Sequence, residues 1–86
     1  MTRNELKQIL EDERFDPRVY SLNGGLPSEA LCIAHEHGRW CYYYSERGDR
    51  TGEKWFGSEA DACHYLLSEL RSLPEKDTRL PHTPRG

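Results

Sequence analysis

Trp40-Cys41-Tyr42-Tyr43-Tyr44-Ser45-Glu46-Arg47-Gly48 is the stretch whose reading decides the fold. Three tyrosines behind a tryptophan favour an extended strand, because bulky aromatics fit a pleated, half-buried surface better than a helix. Ser-Glu-Arg-Gly ends that strand with charges and a turn-forming glycine. Glu29 to Glu36 reads as its upstream neighbour, joined to it near His37-Gly38. An even-numbered loop sets Ile33 opposite Tyr42, Leu31 opposite Tyr44 and His35 opposite Trp40. Cys32, Ala34, Cys41, Tyr43 and Ser45 then share the other face. A three-residue loop would exchange the two faces.

Working outward, Gly48-Asp49-Arg50-Thr51-Gly52 reads as a polar loop, followed by a short fourth strand from Glu53 to Phe56. Upstream, Val19 to Leu22 is a short strand ended by Asn23-Gly24-Gly25. The two glycines permit positive φ and signal a turn. A phosphate loop would need a following helix and a lysine or further glycines, whereas Pro27 and a strand follow here. Near the N-terminus, Thr2 and Glu5 have capping-box spacing, with Asn4 an alternative cap. Leu6, Ile9 and Leu10 then form one helical stripe. Glu11, Asp12 and Glu13 place acidity where the helix dipole disfavours it, so packing must hold this helix. Phe15 falls past its last turn and plugs the core edge. Ser58 caps a second helix, whose stripe runs through Ala60, Cys63, Leu66, Leu67, Leu70 and Leu73 until Pro74 stops it. The expected class is α+β: an antiparallel three- to four-stranded β-meander with an N-terminal and a C-terminal helix packed on one face. Residues 1–76 are expected to form a single domain and residues 77–86 a flexible tail.

The totals narrow the function classes. The chain has 86 residues, 35% of them hydrophobic and 31% charged, which suits one small domain with a thin core. Such a body buries only about 60% of its unfolded surface, which argues against a large enclosed substrate pocket. Net charge is −3 for the chain. That sign disfavours phosphate-backbone binding and suits a basic protein partner. No apolar run approaches the roughly 20 residues that span a bilayer, and the N-terminus lacks the apolar stretch of a secretion signal. A cytoplasmic location is expected. The three cysteines, Cys32, Cys41 and Cys63, are an odd number without framework spacing and read as small hydrophobes.

Cys32, His35, His37 and Cys41 are all plausible zinc ligands within ten residues. The register opposes them: His35 points away from both cysteines, and His37 lies in the turn. Nucleophilic catalysis needs a nucleophile, base and orienting group converging in a cleft. Cys63 belongs to a buried stripe, and Ser45 has no nearby histidine. Tyr42, Tyr43, Tyr44 and Trp40 resemble a base-stacking platform, but at most half can share a face and no basic patch accompanies them. No catalytic residue, metal or cofactor is therefore expected. A protein-binding surface remains, made of Tyr43 on the outer sheet face with Glu46, Arg47, Asp49 and Arg50 beside it.

Several segments resemble one family. They are Tyr20-Ser21-Leu22-Asn23-Gly24-Gly25-Leu26-Pro27, Gly38-Arg39-Trp40, Tyr43-Tyr44-Ser45-Glu46-Arg47-Gly48, and a last helix opened by Phe56, Ser58, Glu59 and Ala62. Together, over roughly residues 5 to 72, they resemble small immunity proteins of bacterial polymorphic and contact-dependent toxin systems. The resemblance implies a cytoplasmic, non-catalytic protein that binds and neutralises a cognate toxin domain stoichiometrically. It carries no toxin-contacting residue onto a position of this chain. A non-catalytic subunit of another complex is the alternative reading.

Overall fold

Thr2 caps the first helix through the reciprocal capping box with Glu5 that their spacing predicts. The computed structural model describes residues 1–81. Helix α1 spans Arg3–Asp12, and a 3-10 turn, Pro17–Val19, leads into strand β1, Tyr20–Ser21. Strands β2 (Ala30–Glu36), β3 (Arg39–Glu46) and β4 (Asp49–Phe56) follow, then helix α2 (Glu59–Ser72) and the short α3 (Glu75–Thr78). The class is α+β, with one four-stranded sheet ordered β1-β2-β3-β4.

The β2–β3 register is the one the even loop required: Ile33 pairs with Tyr42, Leu31 with Tyr44 and His35 with Trp40. His37 and Gly38 form a two-residue turn with φ of 53° and 74°, the conformation that matches the twist of the flanking strands.

Three expectations need correction. The sheet is mixed, because β1 runs parallel to β2. The chain from Leu22 to Glu29 crosses the sheet face instead of reversing in a hairpin, so it re-enters in the original direction. Second, 49–52 is strand, not loop. Arg47 and Gly48 alone make the turn (φ 52° and 82°), and pairing resumes at Glu46 with Asp49. Gly52, at φ 64°, absorbs one extra residue as a bulge opposite Tyr43, which let β4 begin earlier than its composition suggests. Third, residues 77–81, expected in the tail, pack on the body. Thr78 is buried, Phe15 and Arg79 form a β-bridge, and the Asp16 and Leu80 amides donate to the Thr78 and Arg14 carbonyls. The rest of the expected tail, 82–86, lies outside the described residues.

The main core joins Leu6 and Leu10 of α1 to Ala62, Cys63, Leu66, Leu67 and Leu70 of α2 and to Leu31, Ile33 and Tyr42 of the sheet. Phe15 plugs its edge at 1% exposure. Helix α2 lies against β2, β3 and β4, and α1 packs on α2. Leu73, expected at the end of the α2 stripe, is instead 42% exposed, because the backbone leaves the helix there. Among the described residues, no helix is long and apolar enough to cross a membrane.

Candidate protein-binding surface

The face of the sheet expected to be open carries a second small core of Ala30, Cys32, Ala34, Cys41 and Tyr43. The Leu22–Glu29 crossover covers it. Gly24 lies so close that a Cβ there would sit 3.2 Å from the Ala34 Cβ. Tyr43 donates its hydroxyl to the Gly25 carbonyl at 2.6 Å, and Ser45 donates to the Pro27 carbonyl at 2.7 Å. Tyr43 is therefore interior, at 1% exposure, and offers no contact surface to a partner. Its burial pushes the phenol pKa up to about 12.

Arg50 seals the side of this core that the crossover leaves open. Its guanidinium lies 4.0 Å from the Tyr43 ring centre and donates two hydrogen bonds to Glu36, at 3.0 and 3.1 Å. It also pairs with Glu53 at 2.8 Å and contacts the Cys41 sulfur at 3.2 Å. The Glu36 hydrogen bonds hold this guanidinium protonated, and the Glu36 carboxyl lies below its ordinary value for the same reason. Arg50 thus belongs to an internal network, and its charge is already committed.

Of the expected contact set, the hairpin end remains. Arg47 and Asp49 are exposed and Glu46 is half-buried, brought together by the Arg47-Gly48 turn. Among the described residues, none of the three makes an ion pair. Farther along β4, the edge strand, Trp55 is 39% exposed and carries the Arg39 guanidinium 4.9 Å from its ring centre. From its sequence context Trp55 marks only a return to the sheet. Its pairing with Cys41, one residue out of phase with Phe56, could have put it on the outer face once the strand was recognised.

The remaining chemistry-bearing side chains are dispersed. Cys32 and Cys41 sit in the small core, whereas His35 stacks on Trp40 across the sheet at 4.4 Å. Among the described residues, no three histidine, cysteine or acidic groups converge as a metal site. Burial pushes the Cys32 and Cys63 thiols up to about 11. It also raises Cys41, outweighing the Arg50 hydrogen bond beside it. No family model, curated protein or solved structure matches the chain.

Proposed function

We propose that this protein is a binding module whose β3–β4 hairpin end docks on a partner protein. In the reading that the immunity-protein resemblance suggests, that partner is a bacterial toxin domain neutralised by one-to-one association. The observation that carries the proposal is the unpaired Glu46, Arg47 and Asp49, held together on a two-residue turn. Charges of both signs on a rigid hairpin select a partner by complementarity. The Trp55–Arg39 pair along the same edge adds a desolvatable aromatic of the kind that anchors interfaces. The overall negative charge speeds encounter with a basic partner surface.

The test is co-expression with toxin domains encoded beside the gene, scored by survival. Glu46→Lys with Asp49→Lys should lose protection and weaken complex formation at least tenfold, equivalent to about 1.4 kcal/mol. The two acids already face each other as a like-charge pair, so paired lysines keep that balance and the fold should tolerate them. Full protection by this variant places the contact elsewhere, and failure to rescue from any toxin removes the immunity reading.

A further inference from the structure

A groove of about 360 Å³ opens beneath the hairpin, between the sheet and the segment that follows α2. Its apolar surface comes from Val19, Leu31, Tyr44 and the exposed Leu73. Two carboxylates, Glu29 and Asp77, lie at its edge, both exposed and neither in an ion pair among the described residues. Tyr44 and Glu46 share one face of β3, which places the groove on the Glu46 side of the hairpin. Burial, and after it the nearby Glu46 and Glu29 charges, raises the Tyr44 hydroxyl pKa.

An apolar surface with carboxylates at its edge matches one kind of side chain. Lysine and arginine carry long aliphatic stems that lie on apolar ground while the charged head reaches outward. A purely apolar anchor would leave the carboxylates unused, and an acidic segment would be repelled by them. The volume accommodates one or two side chains, not a folded element.

From this we propose that the groove binds a lysine or arginine side chain, flanked by apolar residues, on an extended segment of the partner protein. The stem rests on Leu31, Tyr44 and Leu73, and the cation pairs with Glu29 and Asp77. This rests on the reading that the chain docks on a partner, and it names the chemistry of that partner at one place.

Amide shifts of the whole labelled protein, titrated with acetyl-Leu-Arg-Leu-amide and with its Leu-Glu-Leu counterpart, test it without a known toxin. The arginine peptide at millimolar concentration should move the Leu31, Tyr44, Leu73 and Asp77 amides. The glutamate peptide should leave them in place. Glu29→Gln with Asp77→Asn should weaken the arginine response at least fivefold, with the remaining spectrum unchanged. Absent shifts, equal shifts for both peptides or an undiminished response in the variant would each overturn the proposal. So would shifts at these amides on concentrating the protein alone, which would assign the groove to a second copy of the chain. Absence of the peptide response in the parent protein, with hairpin-dependent survival intact, refutes the groove alone. Intact peptide binding without toxin rescue refutes the immunity reading alone.

Discussion

Tyr43 and Tyr44 are neighbours in sequence, and the tertiary structure gives them opposite roles. Alternation along β3 correctly separated their faces, but periodicity does not reveal whether a face is covered. For Tyr43 the cover is a backbone carbonyl eighteen residues away, which no local pattern encodes. Tyr43→Phe should cost about 1 kcal/mol by removing the part-buried hydrogen bond to the Gly25 carbonyl, read as a lower urea midpoint at unchanged slope. Gly24→Ala should cost more. Its φ of 73° is unfavourable for an L side chain by roughly 1–2 kcal/mol, and its Cβ would crowd Ala34 as well. Equal stability of both variants with the parent would mean that the crossover does not seal this face.

At the scale of elements, α1 shows how a local liability is resolved at a distance. Its acidic end opposes its own dipole, and the sequence implied that packing must hold it. Leu6 and Leu10 are buried in the core as that packing requires, and Glu13 in addition meets Arg71 of α2, whose Nε lies 3.1 Å away, and Arg79 at 3.6 Å. The Arg71 hydrogen bonds hold the Glu13 carboxyl below its ordinary value of 4.5. A lowered carboxylate stabilises the fold above its unfolded pKa, and that contribution is lost as pH falls through the folded value. The urea midpoint should therefore fall once the pH drops below about 4.5, the ordinary glutamate value. Arg71→Gln should make that fall shallower without abolishing it, because Glu36 is also lowered, by Arg50. An identical pH profile for the variant would show that the pair contributes nothing measurable.

On the scale of the whole molecule, the segment after α2 belongs to the folded body. Arg79 lies over the Phe15 ring at 3.6 Å and donates from Nε to the Glu13 carbonyl at 2.8 Å. Arg79→Ala should destabilise by about 1–2 kcal/mol through the lost cation–π contact and hydrogen bond. Hydrogen exchange at the Asp16 and Leu80 amides should quicken, since both bond across this seam. Unchanged exchange there would mean that the seam holds without Arg79. The same docking builds the groove, because α3 sets Asp77 and Thr78 beside Tyr44 and Leu73.

The sequence by itself narrowed the β2–β3 register to two choices set by loop length and the first cap to Thr2 or Asn4, and it marked the Ser58 cap and most of the α2 stripe. Each depends on spacings of a few residues and on propensities that act within one element. Tertiary structure alone decided the parallel pairing of β1, the burial of Tyr43, the commitment of Arg50 to Glu36 and the groove beside Tyr44. These arise between segments distant in the chain, where loop path and competing partners fix the outcome. The expected contact set was divided on that basis. Glu46, Arg47 and Asp49 stand together because a two-residue turn is local, whereas Tyr43 is covered by a crossover that no spacing announces and Arg50 is held by Glu36 and Glu53.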